Sequence, residues 1–183
     1  MRFASVLLSA VLLAGCTGSK NVDDAPSTVG HVDLQRYQGV WYEQARLPMF
    51  FQRDCVRSEA RYSLLDNGSI GVLNRCETKN GEWKEARGEA EPQQPGSTDR
   101  LWVRFDNWFS RLFPEMTKGH YWVLYLDQEY SVALVGSPDR EFLWLLSRDI
   151  QLDASTRQRL LDEAEKRGYD TSELIWRGEG AEI

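Results

Sequence analysis

From Gly39 onward, apolar and polar residues alternate one for one in short runs separated by turn residues, the two-residue period of a half-buried strand. In the run 56–65, Val56, Ser58, Ala60, Tyr62 and Leu64 fall on one face, and Arg57, Glu59, Arg61 and Ser63 on the other. The pattern predicts eight strands, at 40–47, 56–65, 70–77, 83–91, 101–106, 121–126, 130–135 and 142–147. Pro48 ends the first, and Asp66-Asn67-Gly68 and Lys79-Asn80-Gly81-Glu82 are tight hairpin signals. Eight strands joined mostly by short hairpins make an all-β, antiparallel up-and-down sheet. At that number a sheet closes into a barrel around one small ligand, and closure removes both exposed edges.

After Ser147 the period changes. Asp153 suits a helix N-cap, Leu160, Leu161 and Ala164 make a narrow apolar stripe, Lys166 and Arg167 suit the last turn, and Gly168 suits the stop. One C-terminal helix of about fourteen residues is expected against the barrel wall, followed by a short ninth strand at 174–176. Ahead of the barrel a brief helical turn is expected at 34–37. Gly39 lets the chain turn into the first strand without a Cβ penalty, and Trp41 is a rigid plug suited to a barrel floor.

The chain has 183 residues and a formal charge of −6, enough for one well-buried domain. Its basic residues are scattered among carboxylates, which argues against a nucleic-acid partner. Residues 1–15 hold one arginine and an apolar run too short to span a membrane, the form of a secretory signal. Leu13-Ala14-Gly15-Cys16 resembles the lipobox of bacterial lipoproteins, which implies that Cys16 carries the lipid. Thr17 in place of Asp implies, by the same resemblance, the outer membrane, with the domain facing the periplasm. Residues 16–30 are small, polar and Pro/Gly-bearing, as a lipidated flexible tether requires, leaving 31–183 as the domain. With Cys16 acylated in an oxidising compartment, Cys55 and Cys76 are left as a pair. Two free buried thiols are the alternative, and the spacing is not that of a metal site.

Three segments then carry a family resemblance. Gly39-Val40-Trp41-Tyr42-Glu43, Asp127-Gln128-Glu129-Tyr130 followed by Ala133-Leu134-Val135, and Phe142-Leu143-Trp144-Leu145-Leu146-Ser147-Arg148 are similar, in order and spacing, to the signature segments of the lipocalins. The middle segment departs from the family's usual Thr-Asp-Tyr spelling. Behind a lipobox the whole resembles the bacterial outer-membrane lipocalins, relatives of apolipoprotein D. The resemblance implies an eight-stranded barrel, and it implies structural roles for Gly39, Trp41 and Arg148, with Arg148 packed across Trp41 at the closed end.

Alternation with Trp41 facing inward places Glu43, Ala45, Ser58, Ala60, Tyr62, Val72, Asn74, Leu101, Val103, Phe105, Tyr121, Val123, Phe142 and Trp144 on the interior wall. The resemblance implies that Tyr62, Asn74, Phe105, Tyr121 and Trp144 line a pocket. Such a lining suits a fatty acid, a lysophospholipid or a similar amphiphile, and needs no cofactor. Because every strand reverses direction, the loops after strands one, three, five and seven share one end. There Met49, Phe50 and Phe51 would meet Trp108, Phe109, Leu112 and Phe113, as an entrance for lipid, a surface touching membrane or a partner, or an inward-folded lid.

Catalysis is poorly supplied. His31 and His120 have no nucleophile or carboxylate partner by spacing, and there is no hydrolase, zinc or phosphate-loop motif. Glu43 is the one carboxylate expected inside the barrel, either as a polar anchor or shifted acid or as a hydrogen-bonded floor residue. The reading is a lipid-anchored binding protein serving envelope lipid transport or maintenance. The alternatives are a lipocalin-fold enzyme acting on a hydrophobic substrate, or an envelope protein docking a partner through its rim. A homodimer is left open.

Overall fold

The computed structural model describes residues 25–106 and 118–178. Among the described residues nine strands form one antiparallel sheet: β1 Gly39–Arg46, β2 Cys55–Leu64, β3 Ile70–Thr78, β4 Trp83–Pro92, β5 Arg100–Phe105, β6 Gly119–Leu126, β7 Val132–Gly136, β8 Leu143–Ser147 and β9 Ile175–Trp176. Each of β1 to β8 pairs with its neighbour in sequence, and β1 also pairs with β8, Tyr42 lying opposite Ser147. This closes the expected eight-stranded barrel and leaves none of its eight strands as an open edge. The ninth strand lies outside the ring, against Ala45 and Arg46 of β1. Among the described residues two α-helices accompany the sheet, α1 (Leu34–Tyr37) and α2 (Ala154–Glu165). Asp33 caps α1 and Asp153 caps α2, each accepting from backbone N–H groups of the first turn.

Two apolar clusters divide the core. The first fills the barrel and includes Trp41, Ala60, Tyr62, Val72, Val103, Val123 and Leu146, with Val32 and Tyr37 closing it from below. The second lies between the outer wall and α2, where Leu124, Leu134, Leu143 and Leu145 meet Leu160 and Ala164. The strands β6, β7 and β8 are therefore buried on both faces. That explains their near-continuous apolar spelling, while β2 alternates cleanly between core and solvent.

The closed end is held by Arg148, just beyond β8. Its guanidinium lies over the Trp41 ring, 3.9 Å from the centroid. It donates to the carbonyls of Val40 (2.7 Å), Gln38 (2.7 Å), Tyr37 (3.1 Å), Arg36 (3.1 Å) and Tyr130 (3.3 Å). One side chain thus ties the end of β8 to the start of β1, to α1 and to the β6–β7 turn. Gly39 has a φ of 95°, and a Cβ there would stand 3.3 Å from the Arg148 guanidinium, so a side chain would be both strained and crowded. Tyr130 is not the first residue of β7 but part of its turn, at a φ of 58°. Asp127 holds that turn by accepting from the Ser131 N–H (2.7 Å) and hydroxyl (2.6 Å) and from the Val132 N–H (2.9 Å).

One further expectation changes in detail and another is met. Phe142 precedes β8 and packs with the outer cluster instead of facing into the barrel. The disulfide forms between Cys55 and Cys76, with Cα atoms 5.5 Å apart. Cys76 lies opposite Ser58, and unbroken alternation would turn Cys55 to the other face. A bulge between Cys55 and Arg57 turns it back, setting Cys55 opposite Thr78 on the Cys76 side.

Arg148→Ala removes the cation–π contact and a donor shared by several part-buried carbonyls, so it should lower unfolding free energy by about 2–4 kcal/mol in urea titrations. Arg148→Lys, lacking the planar fork, should recover less than half of that loss.

Asp99 reports the same end through pH. Burial raises its pKa, but hydrogen bonds from Thr28 (2.5 Å) and Ser97 (3.1 Å) outweigh that and hold the carboxyl below the usual range. A depressed folded pKa contributes stability that is complete above the unfolded value and is lost as pH falls through the folded value. Acid unfolding below about pH 4 should therefore be shallower in Asp99→Asn than in the parent.

Candidate functional site

The interior is built by alternation on β2 to β6. Ser58, Ala60 and Tyr62 of β2 face Cys76, Asn74 and Val72 of β3. Leu101, Val103 and Phe105 continue the same wall on β5, and Tyr121 and Val123 on β6. These positions lie where alternation puts them. Gly88 of β4 stands opposite Phe105, leaving that ring free to occupy the interior.

At the deep end three tyrosines share a chain of hydroxyls. Tyr121 donates to Tyr62 (3.0 Å) and lies 2.9 Å from the Tyr37 hydroxyl. Burial pushes the Tyr62 hydroxyl up to about 12 and raises those of Tyr37 and Tyr121 as well. All three stay neutral at any physiological pH, so this end is aromatic and uncharged. With Ile70, Val72, Ala90, Leu101 and Val103 they enclose a cavity of about 10 Å³, room for about one water. An acyl chain needs far more space, so side chains of this wall must move to admit one.

Nearer the mouth the lining becomes polar, and β1 is the cause. Its pairing with β8 shifts between Glu43 and Ala45, a bulge that reverses the alternation. Ala45 is therefore not interior as expected, but packs in the outer cluster under α2. Arg46 becomes buried instead, at 3% exposure, and forms a 3.0 Å ion pair with the buried Glu43. Its other terminal nitrogen donates to the carbonyls of Gln52 and Cys55, both at 2.9 Å.

Gln52 belongs to a 3-10 turn, Phe50–Gln52, in the β1–β2 loop. Its amide donates to Glu43 (2.9 Å) and to Ser58 (3.4 Å), and its carbonyl accepts from the Trp144 indole (2.9 Å). The loop is thus latched into the barrel through one polar side chain. Arg46 Nε and Asn74 Oδ1 are buried without a hydrogen-bond partner among the described residues. Sequence reasoning missed Arg46 and Gln52, as it missed Tyr37, because a bulge and a loop side chain that folds back leave no mark on a two-residue period.

The rim is divided. Met49, expected at the entrance, is only 5% exposed and belongs to the outer cluster, next to Leu47. Phe50 and Phe51 are exposed as expected. Trp108, Phe109, Leu112 and Phe113 lie outside the described residues, as does Cys16. Among the described residues no group of His, Cys, Asp and Glu could hold a metal ion.

A closed antiparallel barrel of eight strands, sealed below by an arginine over a tryptophan and flanked by one helix, defines the calyx class of small β-barrels. Residues 32–179 match the family model described as a lipocalin-like domain, and the chain belongs to the lipocalin family. It is 38% identical over 179 residues to the outer membrane lipoprotein Blc of Vibrio cholerae, covering 96% of this chain and 98% of that one. Temperature-induced lipocalin-1 of Arabidopsis thaliana is 38% identical over 146 residues, covering 78% and 77%. Mouse apolipoprotein D is 31% identical over 158 residues, covering 82% and 78%. The fold is also that of insecticyanin from the tobacco hornworm Manduca sexta, with a TM-score of 0.63 at 20% identity and 83% of each chain covered.

Glu43→Ala should strand the Arg46 guanidinium in the barrel and cost about 3–5 kcal/mol by chemical denaturation, whereas replacing Glu43 and Arg46 together by Gln and Met should cost less than either alone.

Proposed function

We propose that the protein binds a single amphiphile with an acyl chain, a fatty acid or a lysophospholipid, inside the barrel. In this reading it is held at the outer membrane by a lipid on Cys16 and faces the periplasm, where it carries or sequesters envelope lipids. The observation that carries the reading is the two-part interior, an uncharged aromatic and aliphatic deep end below a polar, net-neutral belt of Glu43, Arg46, Gln52 and Ser58. A tail belongs in the first and a polar head near the second. Burying about ten methylenes yields a gross ~8 kcal/mol, which after binding costs suits micromolar affinity. The relatives named outer membrane lipoprotein support the location, and the Leu13-Ala14-Gly15-Cys16 segment supports the anchor.

Glu43 is engaged through both oxygens, by Arg46 on one and Gln52 on the other. That supports a hydrogen-bonded wall residue, above the floor, over an acid catalyst, which would need a free oxygen facing substrate.

Native mass spectrometry of the full chain recovered from membranes should show one bound acyl lipid, and added fatty acid should displace a fluorescent fatty-acid probe. Phe105→Ala should weaken the probe about tenfold, while Glu43→Gln should change it less than about threefold. Absence of any bound lipid together with no displacement by any acyl ligand would overturn the reading, and loss of a catalysed turnover in Glu43→Gln would favour an enzyme.

A further inference from the structure

We infer that the barrel has a second way in, a side portal for acyl chains between the mouth-end halves of β1 and β2, closed by a strap at residues 175–178 near the C-terminus. Its use by a lipid depends on the reading of the interior given above. The first observation is a break in the ring. β1 and β2 pair from Gly39 opposite Tyr62 to Tyr42 opposite Glu59 and no further, although β1 runs on to Arg46 and β2 begins at Cys55. Each strand carries a bulge in this region, between Glu43 and Ala45 and between Cys55 and Arg57. Bulges bend a strand and end its pairing, so residues 43–46 and 55–58 part without a ladder between them.

The second observation is what fills the break. Ala45 and Arg46 pair with Leu145 and Trp144 of β8 on one side, so β9, opposite the same two residues, takes the side that β2 holds nearer the sealed end. The next two residues bridge to β2. The Arg177 N–H donates to the Gln44 carbonyl of β1 (2.8 Å), and the Gly178 N–H to the Val56 carbonyl of β2 (2.9 Å). The Arg177 guanidinium spans the break, one nitrogen donating to the carbonyls of Ser58 (2.6 Å) and Glu43 (3.3 Å). A segment bonded to both strands acts as a stave between them. Lifted out, it leaves a slot of roughly two strand spacings, ~9–10 Å, wider than an extended acyl chain.

The third is what lies behind the slot. Glu43 and Ser58 meet inside the barrel at the Gln52 amide, at 2.9 and 3.4 Å, so the strap covers the polar belt from outside. Gln52 also bonds to Trp144 (2.9 Å) and holds the β1–β2 loop down across the mouth. An acyl lipid entering tail first through the slot meets the belt and then the aromatic lining. Its head stops where Glu43, Gln52 and Ser58 supply polar partners.

The strap is fixed at its root and lightly held at its tip. Leu174 is buried in the outer cluster, and Arg157 of α2 lies over the Trp176 ring, 3.4 Å from the centroid. β9 pairs with β1 at two positions, and among the described residues the bonds from Arg177 and Gly178 join the tip to β2. So short a ladder opens far more easily than the whole barrel unfolds.

The test uses the full chain with Arg177→Met, which keeps the stem and removes the guanidinium. A second variant, Gly178→Pro, removes the N–H donor and cannot adopt the φ of 83° found there. In both, the amide of residue 177 should exchange with solvent at least about tenfold faster than in the parent. By stopped flow, a fluorescent fatty-acid probe should bind and dissociate about tenfold faster with Kd changed less than about threefold, because a gate lowers the barrier equally in both directions. Faster amide exchange with unchanged probe rates would overturn the portal, as would a Kd that rises in step with the dissociation rate, the mark of a loosened pocket. Unchanged amide exchange in both variants would overturn it too, since the strap would not hang on those bonds. A parent chain that binds no probe defeats the acyl-lipid reading and the portal together, whereas a bound probe whose rates do not move defeats the portal alone.

Discussion

Everything in this barrel depends on the contact between Arg148 and Trp41. A sheet of eight strands becomes a container only if the last strand finds the first and one end is sealed. The guanidinium meets both needs, lying on the tryptophan ring and donating to five carbonyls of α1, β1 and the β6–β7 turn. Four of those bonds are part-buried, and the Tyr37 carbonyl is shared with the Trp41 indole N–H (2.9 Å), so the arginine and the tryptophan are joined through one acceptor as well as face to face. The same contact explains why the first strand opens on a glycine, since the arginine occupies the space a side chain would need.

With one end sealed, chemistry is graded along the barrel axis. The sealed end carries neutral tyrosines and aliphatic side chains, the middle an ion pair with net charge of zero, and the mouth exposed aromatics. The buried pair of Glu43 and Arg46 need not add stability over an apolar pair of equal volume. What it does is hold the β1–β2 loop, because Arg46 bonds to the loop carbonyls and Glu43 to the Gln52 side chain. Packing of α2 on the outer face is separate, drawing on Leu160 and Ala164, and leaves the interior wall free to adjust.

Much of this was legible in the chain. Strand number, order, hairpins, the capped helix and the Arg148 contact follow from a two-residue period, turn residues and three signature segments. So do most interior positions on β2 to β6, because those strands run regularly through the sites concerned. What escaped has a common physical origin in irregularity. One bulge moved Ala45 outward and Arg46 inward, and another brought Cys55 to the face of Cys76. A bulge inserts a residue without changing composition, so alternation counted across it inverts. Met49 went wrong for a related reason, since a loop of apolar residues does not say which of them the fold turns inward.

The central claim is that an acyl chain occupies the deep end, displacing side chains that now leave a cavity of about 10 Å³. It is tested most directly by a crystal structure of the chain with a fatty acid brominated at its terminal carbon. The account places the anomalous bromine peak within the ring formed by Tyr62, Val103 and Tyr121. A peak beneath α2, on the outer wall, or confined to the mouth around Trp144 would contradict it.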